Sequence, residues 1–147
     1  MADYNNNESQ HQAKNYSFDV QKLYIEMLLA DAESFARAQN IFKPESFDRK
    51  LQPIAKFIKD YMEEYKVMPE VEQVNASHDI KLKEAKDLDP AHFDWLLDEF
   101  ETFSRHKALE RAILSSADLL EKGDYAPVED LVKEAVNVGL TRDLGTD

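Results

Sequence analysis

Apolar side chains recur at helical spacing between Pro90 and Lys122, a stretch with no glycine and with its only proline at the first residue. Asp89 is a favourable residue just before a helix, and Pro90 suits the first helical position because its missing N–H would be unpaired there anyway. Gly123 suits the position just past a helix end. The pattern therefore predicts one long helix with both ends specified locally.

The apolar positions of this predicted helix form two stripes. The first consists of large residues three or four apart, Phe93, Leu96, Leu97, Phe100 and Phe103. The second consists of Leu109, Ala112, Ile113, Ala117 and Leu120. Six residues turn a helix by about 600°, so Leu109 points roughly 120° away from Phe103. We expect the two halves to pack in two successive cores; a curved helix around a single core is the alternative.

The chain before this helix predicts a polar tail and two further helices. Residues 1–17 carry no periodic apolar face, and we interpret them as a flexible tail. Helical spacing then runs from Phe18, with a possible break near Asp31, and resumes over residues 48–66, where Pro53 must lie in the first turn. The amino-terminal part is therefore expected to be helical throughout.

The connection between those two helices is more apolar than a surface loop. It contains Ile41, Phe42 and Phe47, which we expect to fill the core. A short helix is predicted from Pro69, and residues 75–88 are interpreted as either an exposed short helix or a loop.

After Gly123, residues 124–127 should turn the chain and residues 128–136 should form a last amphipathic helix of about three turns. The chain has few glycines and no alternating β-branched run. The sequence therefore predicts an all-α fold.

The charge balance limits the choice of partners. Thirty acidic residues against 18 basic ones give a net charge of −12, which repels nucleic-acid phosphates, so we expect no direct nucleic-acid binding by this domain. Simple solubility is the alternative explanation of the acidity. The absence of cysteine, of a signal-peptide pattern and of a long apolar run favours a cytosolic protein without a membrane span.

Motifs that carry chemistry are not apparent in the sequence. A phosphate-binding loop needs closely spaced glycines followed by Lys, and Gly123, Gly139 and Gly145 do not provide it. Asp89 and His92 form one helical acid–His pair without a second copy, so a metal site is not expected. We predict no catalytic, cofactor-binding or metal-binding residue, and hence no enzymatic activity in this chain.

Four short segments carry a resemblance to a known family when they are taken in order. They are MLLAD at 27–31, FKPESF at 42–47, EYKVMP at 64–69 and the segment 138–147. This order resembles the amino-terminal domain of hexameric DnaB-type replicative helicases, most closely those of T4-like phages. The charged stretch at 81–87 and the chain before Tyr16 do not match that pattern.

The resemblance implies a helical globular body at 18–103, a protruding helical hairpin at 104–138, and a linker at 139–147 leading to a motor domain that lies downstream. It implies a non-catalytic collar in a helicase ring, assembled as a homo-oligomer with dimers inside a hexamer. It also implies docking of a primase or a helicase loader, and a location in the cytoplasm of a bacterial host cell. The alternative is a free-standing acidic helical phage protein that binds or inhibits a host partner.

The hairpin itself suggests self-association. A helix of about three turns is marginal alone, and two single stripes cover each other only in part. We therefore predict that six apolar residues lie in or beside a self-association interface: Leu109, Ile113, Leu120, Leu131, Val132 and Val136. Arg105, His106 and Lys107 are expected at its rim. A purely intramolecular contact is the alternative.

Overall fold

The computed structural model describes residues 16–140. Over these residues the chain forms six α-helices, two short 3₁₀ segments and no strand. The helices are α1 (Phe18–Ala30), α2 (Ala32–Ala38), α3 (Gln52–Tyr65), α4 (Val71–Ala76), α5 (Pro90–Glu121) and α6 (Tyr125–Val136). The 3₁₀ segments are Gln39–Ile41 and Pro44–Ser46. The predicted all-α fold class is confirmed.

The long helix α5 is confirmed with both of its predicted ends. Asp89 has extended backbone and Pro90 opens the helix, although the Asp89 side chain makes no capping hydrogen bond. At the other end Gly123 adopts a φ of 80°. The Gly123 N–H donates to Leu120 O at 3.1 Å and the Asp124 N–H donates to Leu119 O at 2.9 Å. These paired bonds form a Schellman motif, which requires the left-handed backbone that glycine adopts without strain.

The two stripes of α5 pack in different surroundings. Leu96, Phe100 and Phe103 are completely buried in the main core, together with residues of α1 and α3 such as Tyr24 and Ile58. That core extends along α5 only as far as Phe103. Beyond it, α5 packs against α6. The long helix therefore belongs to two successive packing layers.

The apolar connection between α2 and α3 fills the core as predicted. Ile41, Phe42 and Phe47 are all buried. The Phe42 ring lies 5.1 Å from the Phe35 ring and 5.4 Å from the Phe47 ring, centroid to centroid. These contacts tie the connection to α2.

The predicted break in the first helix also occurs. Asp31 has extended backbone with φ −141° and ends α1. Its carboxylate then accepts a hydrogen bond from the Ser34 N–H at 3.1 Å and so caps α2. One acidic residue therefore both separates the two helices and starts the second.

Tyr16 and Ser17, the last two residues of the predicted tail, contact the helical body. The Tyr16 ring lies 5.2 Å from the Phe103 ring, and the Gln21 side-chain amide donates to Tyr16 O at 2.8 Å. Ser17 caps α1 by accepting from the Val20 N–H. The rest of the predicted tail and the linker beyond Leu140 lie outside the described residues.

One further boundary differs from the predictions. The last helix begins at Tyr125 rather than at Val128, so that Pro127 is accommodated in its first turn. The stretch after α4 is irregular, in agreement with the loop alternative for residues 75–88, and Leu82 within it is buried. The Asn75 side chain forms two hydrogen bonds with the backbone of Leu82. It accepts from the Leu82 N–H at 2.7 Å and donates to Leu82 O at 2.9 Å.

Candidate functional site

The two helices of the hairpin meet through small side chains. Ala112 and Ser116 of α5 and Ala135 of α6 are the buried residues of this contact, which we call the hairpin seam. Small side chains let the two backbones approach closely, but they bury little apolar surface. The larger apolar residues of both helices therefore lie outside the hairpin seam.

Large apolar side chains cluster on one broad side of the hairpin. We define the apolar face as five residues with the exposed fractions given: Ile113 (65 %), Leu120 (52 %), Tyr125 (67 %), Val132 (40 %) and Val136 (55 %). The hairpin therefore leaves most of its large apolar side chains in contact with solvent.

The position of these residues around each helix places them on the same side. On α5, Ile113 and Leu120 lie about 100° and 80° around the axis from Ala112. On α6, Val132 and Val136 lie about 60° and 100° around the axis from Ala135. Because the helices are antiparallel and face each other through these alanines, offsets of the same sign bring both sets to one side. The face is thus continuous across the seam.

The predicted interface residues divide into two groups. Ile113, Leu120, Val132 and Val136 are exposed on the apolar face, whereas Leu109 and Leu131 are half-buried at the edges of the seam. Leu131 lines a groove on the opposite side of the hairpin, so it does not belong to the apolar face.

Sequence reasoning missed two exposed apolar residues. Tyr125 was assigned to the turn, and only the earlier start of α6 places it on the apolar face. Leu114 is 70 % exposed but lies about 200° from Ala112, pointing away from α6. It is therefore an apolar residue of α5 outside the face.

The three predicted rim residues have different surroundings. The Arg105 side chain stays 43 % exposed, and its guanidinium group donates to Val138 O at 2.9 Å and 3.2 Å. The His106 ring lies 5.5 Å from the Tyr16 ring. Lys107 Nζ lies 3.5 Å from Glu110 Oε1. Arg105 thereby fixes the end of α6 at the base of the hairpin.

The opposite side of the hairpin carries a groove of about 280 Å³. Its lining combines charged residues such as Lys43 and Glu134 with apolar ones such as Leu131. Arg111 Nη1 donates to Ser46 Oγ at 3.1 Å, which joins α5 to the second 3₁₀ segment. The hairpin therefore has one apolar side and one side that contacts the body through polar groups.

Polar side chains between residues 16 and 140 include three histidines and two buried serines without a hydrogen-bond partner. Within that range, no group of three or more His, Asp or Glu side chains is placed to hold a metal ion. His78 Nδ1 lies 2.8 Å from Val74 O, a contact with its own helix end. Ser104 and Ser116 of α5 are buried, and their hydroxyls have no partner among these residues.

None of the helices in the described range combines the length and the apolar character needed to cross a lipid bilayer. Comparison of the chain with known protein families, curated proteins and solved structures finds no match. The apolar face of the hairpin is the candidate functional site, because it places several exposed large apolar side chains side by side.

Proposed function

We propose that this chain is the non-catalytic amino-terminal collar of a DnaB-type phage replicative helicase, and that copies assemble through the apolar face of the hairpin. The apolar face is the observation that carries the proposal. A side chain such as Ile113 exposes 65 % of its surface although the neighbouring Ala112 is buried in the seam. Contiguous exposed apolar surface on a soluble protein commonly marks a binding site.

The energetics of such a contact favour assembly of several copies. Complete burial of an Ile, Leu or Val side chain contributes about 1.5–3 kcal/mol. Covering the roughly half that is still exposed on four such residues would contribute about 3–6 kcal/mol per copy, or about 6–12 kcal/mol for a symmetric pair. Association itself costs about 4–15 kcal/mol. We therefore expect a weak pair in isolation that becomes stable within a closed ring.

The order of the short motifs and the helix that leaves the body at Phe103 support the helicase part of the proposal. In that setting the chain is a docking platform for a primase or a helicase loader in the cytoplasm of a bacterial host, with ATP hydrolysis carried out by the downstream motor. The free-standing acidic helical protein remains the second candidate, and the same apolar face would then bind a host partner.

The assembly step is tested by light scattering over a concentration series. The wild-type chain should gain mass with concentration, and Ile113→Asp should stay monomeric because it places an unpaired charge in the contact. Leu114→Asp is the matched control, since it adds the same charge at an adjacent exposed residue outside the face. A wild-type chain that stays monomeric throughout, or equal effects of both variants, would contradict assembly through this face.

The helicase part is tested by the reading frame. A coding sequence that continues past Asp147 into a glycine-rich phosphate loop is expected. A natural stop directly after this chain, together with capture of a single host protein by the wild type and not by Ile113→Asp, would favour the free-standing candidate.

A further inference from the structure

Side chains from two other elements hold the three residues that follow α6. We call these residues the strap: Val138, Gly139 and Leu140. Arg105 of α5 binds Val138 O through two N–H groups, at 2.9 Å and 3.2 Å. Asn40, in the first 3₁₀ segment, donates from its side-chain amide to Gly139 O at 2.9 Å. The strap is thus attached to both the long helix and the body.

Glu101 completes the attachment and lies close to Gly139 of the strap. Its Oε2 accepts a hydrogen bond from the Leu140 N–H at 2.9 Å. The same oxygen would lie 2.9 Å from a Cβ added at Gly139, so a side chain there would displace the Glu101 carboxylate. Glu101 also lies 3.9 Å from Arg105 Nη2, so the side chains that bind the two ends of the strap are neighbours.

The helix that precedes the strap, α6, buries few of its side chains. Among the 12 residues of α6, only Ala135 is buried. Helices of about this length are marginal in water unless another surface holds them. By contrast, Val138 and Leu140 of the strap pack against the main core.

We propose that the strap is a clasp that holds α6 on α5, and that α6 undocks as a unit when the strap is released. The hydrogen bonds of the clasp join side chains to exposed or half-buried backbone, an arrangement that opens more easily than a buried core. This inference does not depend on the proposed helicase function.

The test is hydrogen exchange read by mass spectrometry on Asn40→Ala. Its neighbour Gln39→Ala is the matched control, because both residues are exposed and only Asn40 binds the strap. Glu101→Ala is a second variant that removes the acceptor of the Leu140 N–H. All proteins carry Ile113→Asp in addition, so that contacts between copies do not protect α6.

Asn40→Ala and Glu101→Ala should each make the amides of α6 exchange about 2- to 10-fold faster, the effect of losing one hydrogen bond. The amides of α3 should keep their rates, and Gln39→Ala should change neither helix. Faster exchange at Leu140 with unchanged α6 would overturn the proposal, as would equal acceleration in α3 or no change anywhere.

Discussion

The ring of Phe47 stacks on the ring of Phe100, with centroids 6.1 Å apart and planes inclined by 26°. Phe47 follows the second 3₁₀ segment and Phe100 lies in the first half of α5. The same Phe47 ring lies 5.6 Å from Phe103. The connection between α2 and α3 thereby closes the core beneath the point where α5 leaves it.

Phe47→Ala should lower the free energy of unfolding by about 3–5 kcal/mol, since it leaves a cavity among aromatic rings that cannot collapse fully. Urea denaturation followed by circular dichroism measures the change. Tyr65→Ala is the control, because it removes a ring of α3 that is 56 % exposed. Equal midpoints for the two variants would contradict the packing described for Phe47.

Deletion of residues 1–15 should leave the thermal midpoint nearly unchanged, because that polar stretch carries no periodic apolar face. Extending the deletion by one residue should lower it, because Tyr16 contacts Phe103 and its carbonyl accepts from Gln21. Differential scanning calorimetry of the two truncations makes the comparison. A large loss already in the shorter deletion would show that the tail stabilises the body.

Tyr24 should make stability fall at alkaline pH. Its burial, and secondly the negative charge of Glu99, raise the pKa of Tyr24 well above its ordinary value of 10.0. The unfolded chain releases this proton near pH 10. Above that pH the folded state holds the extra proton, so stability decreases as pH rises towards the raised pKa.

Tyr24→Phe should therefore flatten the fall in urea midpoint between about pH 9 and 11. Tyr125→Phe is the control, because it alters a tyrosine on the surface of α6. An identical pH dependence in wild type and Tyr24→Phe would count against the buried hydroxyl as its cause.

Gly123→Ala should destabilise the hairpin by about 1–2 kcal/mol, because a left-handed backbone is strained for a residue with a Cβ. No atom lies within 4 Å of that Cβ position, so the loss would reflect backbone strain and not a clash. Gly123→Asn should lose less, since Asn tolerates this conformation better. Proteolysis rates at the turn, measured for all three proteins, should follow that order.

Local chemistry in the sequence determined the positions of most helices. Asp89 and Pro90 start α5 and Gly123 ends it through effects that act within a few residues, so they can be recognised without knowledge of the fold. The burial of Phe42 and Phe47 could be predicted for a similar reason. Moving a large aromatic side chain out of water is favourable, so such residues in a connection are expected to be buried. The apolar stripe of α5 shifts around the helix axis after Phe103, and this shift likewise predicted that the helix packs in two layers.

The tertiary structure alone decided which side of each hairpin helix faces its neighbour. Ala112 and Ile113 are adjacent in the sequence, and periodicity fits a seam built on either. In the fold, α5 contacts α6 through Ala112, and this leaves Ile113 exposed. The hydrogen bonds from Arg105 to Val138 could not be predicted either, because Val138 lies 33 residues away and is brought near only when α6 folds back. Such contacts depend on how closely two backbones approach, a distance that no local pattern of residues specifies.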